Sequence, residues 1–254
     1  MASIDLNSDL GEGYGAWRMG ADDQLLDIVT SANIACGFHA GDPLTMRRTV
    51  RSAVRRGVAI GAHVSYPDLR GFGRRHMTMP PEEVAADVLY QLGALDALAR
   101  VDGSRVRYVK PHGALYHDMA VDEALAMAVV LAIASYDESI PMLGMPDTAA
   151  IAAAQKHGLA TYHEGFADRA YQADGRLVPR SQPGSVLSDP QQVAGRALKM
   201  ATERTVVAVD GSLLSLAVDT ICIHGDSPDA VESARAVRAA MLVGDVALTP
   251  FTAV

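Results

Sequence analysis

The stretch SANIACGFHAGD, residues 31–42, decides the fold. Its apolar run from Ala32 to Cys36 reads as a short strand that stops at Gly37, with His39 just beyond the tip. Asp42-Pro43 then opens a helix. The Asp42 side chain can accept from the free amides of the first turn, and Pro43 has no amide to leave unpaired there. Strand, polar tip, capped helix is the unit of an α/β protein whose reactive groups gather at the carboxyl ends of its strands.

The same alternation runs outward in both directions. Residues 3–7 read as the first strand, followed by a Gly-rich loop and a helix near 22–31. After residues 32–36 comes a helix over 43–56 that Gly57 ends, then a strand over 58–62. A long loop leads to a helix from the Pro80-Pro81-Glu82 run to about residue 100. Strands at 106–109, 140–143 and 159–163 alternate with helices at 122–135 and 147–157. A loop of about twenty residues precedes a helix at 190–203, and residues 206–209 with a short helix lead to a last core strand at 220–223. A helix over 228–242 closes the chain. These seven strand–helix units, with no linker or composition shift, predict one (β/α) barrel domain over residues 1–254. Polar strand ends spread over nearly every strand favour a closed barrel over an open doubly wound sheet.

Bulk composition narrows the function. The chain has 254 residues, 49% of them hydrophobic, enough for a full core and too apolar for a disordered chain. A formal net charge of −8 argues against a nucleic-acid or anionic-membrane partner. Residues 1–9 lack the basic and apolar regions of a signal peptide, and the longest apolar run, 125–134, falls far short of a bilayer span. Cys36 and Cys222 form no C-x-x-C pair, so a reduced, cytoplasmic setting with two buried thiols is expected.

The strand ends carry the chemistry. Strand one delivers Asp5, Asn7 and Asp9 on one face, with Glu12 beyond them. The second brings His39 and Asp42, the latter foremost a helix cap; the third brings His63 in GAHVSYPD. Lys110 and His112 follow in VKPHGALY, Glu164 after the sixth strand, and His224 with Asp226 in CIHGD. His39, His63, His112 and His224 therefore share one rim, whereas His76, His117, His157 and His163 read as structural. Asp9, His39, His63 and His112 suit either a zinc-like ion with an open position or metal-free acid–base and oxyanion chemistry. No H-E-x-x-H spacing chooses between them. One long loop adds Arg70, Arg74 and Arg75, and another adds Arg169 and Arg180 with Asp168. The arginines suit a carboxylate or phosphate. No Walker A, dinucleotide or G-x-S-x-G motif is present in the sequence.

Together DLNSDLGEG, SANIACGFHAGDP, GAHVSYPDLRGFGRR, VKPHGALYH, EGFADRAYQADGRLVPR and CIHGD resemble the LamB/YcsF family from the first strand to the last. Val64 and His117 stand where that family's patterns have proline and asparagine. The resemblance implies a seven-stranded, TIM-type (β/α) barrel related to carbohydrate deacetylases. It also implies opening of 5-oxoproline to L-glutamate with ATP as co-substrate, alongside the B and C subunits of 5-oxoprolinase. A divalent metal of unknown identity is compatible with it. On this reading His112 or His63 acts as base and Lys110 stabilises the developing anion. Asp9 orients an imidazole or holds an ion beside His39, and Arg169 or Arg180 grips the substrate carboxylate. Asn7, Glu12, Arg74, Glu164 and His224 are the further candidates for substrate contact. The competing readings are a stand-alone metal-dependent amide hydrolase or carbohydrate deacetylase, and a non-catalytic subunit that presents substrate to its partners.

Overall fold

The computed structural model describes residues 2–253. Six strands pair in parallel in chain order: β1 (Ala2–Leu10), β2 (Ser31–Ala35), β3 (Ala59–His63), β4 (Tyr108–Val109), β5 (Met142–Gly144) and β6 (Thr161–Phe166). A small antiparallel hairpin, β7 (Thr205–Val207) with β8 (Leu213–Ser215), stands apart from that sheet. The chain then returns as β9 (Thr220–His224), which pairs with both β6 and β1 and closes a barrel of seven parallel strands. A last short strand, β10 (Val246–Leu248), adds beside the start of β1.

The connecting helices are α1 (Asp22–Leu26), α2 (Pro43–Arg56), α3 (Pro81–Val101), α4 (Gly113–Met119), α5 (Glu123–Tyr136), α6 (Ala149–His157), α7 (Pro190–Thr202) and α8 (Ala230–Val243). Their ends follow from local chemistry. Asp42 accepts from the Leu44 and Thr45 amides with Pro43 in the first turn, and Gly57 ends α2 at φ 65°. Asp122, Thr148 and Asp189 cap α5, α6 and α7 in the same way. No single helix among the described residues is long and apolar enough to cross a membrane.

The two faces of each strand have different chemistry. Leu6 and Leu10 of β1, Ile34 and Ile60 point outward and pack under the helices with Val88, Leu92 and Leu115, all fully buried. Burial of such side chains stabilises the fold by about 1.5–3 kcal/mol each. Inside the barrel the alternate residues are polar. Asn33 Nδ2 donates to Asn7 Oδ1 at 2.7 Å and to Asp9 Oδ1 at 2.8 Å, and the Tyr108 hydroxyl donates to Asn33 Oδ1 at 2.7 Å. The Ser31 and Thr30 hydroxyls each donate to Asp5 at 2.6 Å, and the Thr220 hydroxyl donates to its other oxygen. Gly61 makes room for this column, since a Cβ there would overlap the Tyr108 ring.

Several sequence expectations shift. The sixth strand runs over Thr161–Phe166, later than 159–163, so Glu164 lies within it instead of beyond it. Residues 206–209 do not enter the barrel and no helix follows them. Asp210-Gly211 turns the chain into the β7–β8 hairpin, with Gly211 at φ 88°. Helix α4 and strand β10 lie outside the predicted elements: neither is long enough to display a hydrophobic period.

Candidate active site and metal centre

At the carboxyl ends of the barrel strands three imidazoles meet. His63 ends β3, His112 follows β4 immediately before α4, and His39 lies on the loop between β2 and α2. The His39 and His112 rings stack at 3.8 Å, and His63 meets both edge-on. Glu12, from the loop after β1, completes the group: one donor atom from each of the four residues lies within 4.8 Å of the others.

The outer nitrogens settle the inner ones. His63 Nδ1 lies 3.0 Å from the Lys110 carbonyl and His112 Nε2 lies 2.9 Å from the Phe72 carbonyl, so both donate outward. The Ser65 hydroxyl donates to the Tyr66 carbonyl and accepts from His39 Nδ1 at 2.9 Å. Neutral rings held this way aim lone pairs inward. His63 Nε2 then faces His112 Nδ1 at 2.9 Å, and His39 Nε2 faces Glu12 Oε1 at 3.3 Å. Acceptors turned toward one another repel unless a proton or cation lies between them. Burial, then the neighbouring imidazoles, hold His39 and His112 well below the usual range, which keeps them in the neutral, metal-ligating form. Burial, then the Asp9 and Asp226 charges, push Glu12 well above its usual range, a strain that a bound cation would relieve. Three imidazole nitrogens fixed from outside by carbonyl or hydroxyl oxygens, plus one carboxylate, fit a zinc-like ion.

Beside this cluster Asp9 ends the polar column, with Oδ2 at 3.3 Å from His63 Nε2 and Oδ1 at 2.9 Å from Lys110 Nζ. Burial acts against its charge, but His63 and Lys110 hold the carboxyl well below its usual range. Lys110 Nζ is also 3.1 Å from Glu164 Oε2, and this pair of carboxylates keeps it an ammonium despite its burial.

A cleft of about 350 Å³ opens above these groups. Asp9, His63, Lys110 and His112 line it together with the apolar side chains of Phe166, Leu177, Val178 and Pro179. Arg74, Arg169, Arg180 and His117 add positive or polar groups, and His224 stands at its side. His224 is held by a buried carboxylate: its Nδ1 donates to Asp168 at 2.9 Å and its backbone N–H at 3.0 Å. That contact holds Asp168 ionised in spite of its burial and fixes the ring so that Nε2 is free to face the cleft. Burial and the adjacent Arg180 pull the Arg169 guanidinium down to about 10, although the Asp168 charge opposes them.

The sequence candidates therefore divide. Asp9, His63, Lys110, His112, Arg74, Arg169, Arg180 and His224 border the cleft. His39 and Glu12 lie behind His112, in the cluster and off the cleft wall. Asn7 and Glu164 lie off the cleft lining and fully enclosed in the barrel, where Asn7 bonds to Asn33 and Thr220 and Glu164 meets Lys110. Arg169 borders the cleft, but its Nε and Nη2 already donate to the Ser185 and Val178 carbonyls. Arg74 pairs with Asp226 at 2.5 Å, and Asp42 is a helix cap. Three residues escape sequence reasoning as parts of the site. Asp168 is the partner of His224, while Tyr116 and His117 reach the cleft on a helix that the sequence pattern does not reveal.

Known proteins resemble this arrangement over its whole length. The chain is 53% identical over 251 residues to the A subunit of 5-oxoprolinase from Mycobacterium avium, covering 99% of this chain and 100% of that one. It is 52% identical over 251 residues to the A subunit of 5-oxoprolinase from Photorhabdus laumondii, covering 99% and 100%. The crystal structure of a lactam utilization protein from Thermus thermophilus superposes with a TM-score of 0.93 at 47% identity, covering 98% and 100%. A family 4 carbohydrate esterase from Streptomyces lividans shares the fold alone, with a TM-score of 0.53 at 9% identity over 100% and 97% of the two chains. Residues 4–254 match the model of the LamB/YcsF family, and with relatives this similar from end to end the chain belongs to that family.

Proposed function

We propose that the chain is the lactam-opening component of an ATP-dependent 5-oxoprolinase, converting 5-oxo-L-proline to L-glutamate in an assembly with the B and C subunits. The observation that carries this reading is identity above half, over the full length, to proteins named as A subunits of 5-oxoprolinase. The cleft supports it: apolar side chains for a small ring, arginines for a carboxylate, and proton-handling groups.

A five-membered lactam is a stable amide, and phosphorylation of its carbonyl oxygen by ATP makes the carbon electrophilic. We assign that step to the partner subunits, since the sequence carries no Walker motif. Asp9, held ionised at the cleft floor, takes the proton of the attacking water. This moves the base role away from His63 and His112, whose inner nitrogens face the cluster. Lys110 Nζ, beside Asp9, offsets the negative charge of the phosphoryl group on the former carbonyl oxygen as the water adds. His224, oriented by Asp168, delivers a proton to the departing ring nitrogen, which leaves the side-chain acyl phosphate of glutamate. A second water then hydrolyses that acyl phosphate to glutamate and inorganic phosphate. Arg180 and Arg74 receive the substrate carboxylate. Glu12, His39, His63 and His112 would hold a divalent ion, which when bound supplies Lewis-acid polarisation and lowers the pKa of a coordinated water. We read the chain as one domain, working in the cytoplasm with both thiols reduced.

The test is turnover of 5-oxoproline and ATP by the purified chain alone, and again with the B and C subunits. Coupled formation of glutamate and ADP only in the full mixture supports the reading. Absence of glutamate from that mixture refutes it. Asp168→Asn should then slow ring opening by about 5–30-fold, the cost of replacing a charge-assisted bond to His224 by a neutral one. The four-donor cluster favours a second reading, a stand-alone metal-dependent amide hydrolase. Metal-dependent ring opening by the isolated chain without ATP would select it.

A further inference from the structure

A second cleft, of about 470 Å³, lies on the flank of the barrel between α2 and the loop that follows β1. The loop is stiff. Tyr14 and Trp17 exchange backbone hydrogen bonds at 2.9 Å around Gly15, whose φ is 58°. The Gly15 amide donates to Asp42 Oδ2 at 2.9 Å, and the Gly41 amide to the Gly13 carbonyl at 2.8 Å, which ties the loop to the start of α2. On this frame Trp17, the one tryptophan of the chain, is 68% exposed, with Leu44 exposed nearby. In the same cleft Arg18, Arg48 and Arg55 are exposed and, among the described residues, form no ion pair with a carboxylate. The two carboxylates of the cleft are engaged within the fold: Asp22 accepts from the Gly11 amide, and Asp23 from Ser52.

A rigid exposed tryptophan ringed by free arginines has the composition of an interface centre, where those two residue types carry most of the binding energy. Because the loop is already ordered, little conformational freedom remains to be lost on docking. A cationic face of this kind repels the same face of a second copy and selects an acidic counterpart. The loop begins at Glu12 of the histidine cluster, so the docking face is joined through the chain to that cluster. We propose that this face is the docking surface for a partner subunit of the 5-oxoprolinase assembly, one that presents an apolar recess for Trp17 inside an acidic rim. The inference rests on the reading of the chain as one component of that assembly.

The chain labelled with fluorotryptophan gives one fluorine NMR resonance to follow. It should shift on addition of the B subunit, the C subunit or both. Trp17→Ala, and Arg48→Glu combined with Arg55→Glu, should each weaken association by at least about tenfold. Zinc affinity should stay unchanged in the same variants, which shows that the barrel is intact. Assembly with an unmoved resonance and variants of native affinity overturns the docking surface and leaves the proposed function standing. A shift that grows with concentration of the chain alone, or one produced by duplex DNA in place of the subunits, also overturns it. Failure of the native chain to bind either subunit overturns both readings.

Discussion

Asp5 offers a way to perturb the polar column that fills the barrel. Its carboxyl is 1% exposed and accepts hydrogen bonds from Ser31, Thr30 and Thr220. Burial outweighs those three donors and pushes the pKa up to about 6 from 3.8. A folded-state value above the unfolded one means that folding favours the protonated acid. The stability contributed by this group is fully present below 3.8 and is lost as pH rises through about 6. The difference corresponds to about 3 kcal/mol, at roughly 1.4 kcal/mol per pH unit. Asp5→Asn keeps the shape and cannot ionise, so its stability relative to the native protein should grow by about that amount between roughly pH 4 and pH 8. Urea midpoints followed by circular dichroism, measured for both proteins across that range, give the difference curve. Glu12 and Asp22, which burial also raises, cancel from it. A flat curve would refute the account of the column as a set of donors insufficient to hold Asp5 ionised without cost.

Three further outcomes are expected. Lys110→Met leaves Asp9 and Glu164 as uncompensated buried carboxylates and should cost about 3–5 kcal/mol, part of which Glu164→Gln in the same chain restores. Thermal denaturation of the single and double variants checks this, and equal melting of native and Lys110→Met proteins contradicts it. Zinc added to metal-free protein should raise stability by about 2.7 kcal/mol when free metal exceeds its Kd by about a hundredfold, and His39→Ala should abolish the gain in calorimetry. Gly73 has φ 65°, and a Cβ there would lie 2.7 Å from the His112 ring and 2.8 Å from His39 Cβ. Gly73→Ala should therefore weaken zinc binding by about 10–100-fold, read by titration calorimetry.

How much was legible in the sequence follows from the range of each interaction. Asp42-Pro43 and Gly57 each announce an end of α2 from the residues at that end alone, and the structure has both ends there. The period of two along Asp5, Asn7 and Asp9 correctly puts three polar side chains on one face. Which neighbours satisfy them depends on β2, β4 and β9, and no local pattern encodes that. Asp168 reaches His224 across 56 positions, so only the folded chain pairs them. The Asp210-Gly211 turn was readable as a hairpin signal, yet the strand–helix rhythm on either side obscured it.

The cleft brings groups of opposite charge together, and that arrangement gives the proposed reaction a direction. Near the cluster stand acceptors: Asp9 Oδ2, and behind it the inner nitrogens of three imidazoles turned toward one another and Glu12. Arg74, Arg169 and Arg180 line the same cleft, where burial and then the Arg180 charge lower Arg169. An anionic ring compound entering such a field turns its carboxylate to the arginines and its carbonyl toward Lys110 and the acceptors. His224 then lies at the side of the ring, held from behind by Asp168. The binding order follows from the same asymmetry. A cation at the cluster neutralises the acceptors, so it should tighten binding of the anionic substrate while leaving a neutral analogue such as 2-pyrrolidone unaffected. Equal enhancement for both ligands in zinc-loaded and metal-free protein would place the selectivity in cleft shape instead of charge.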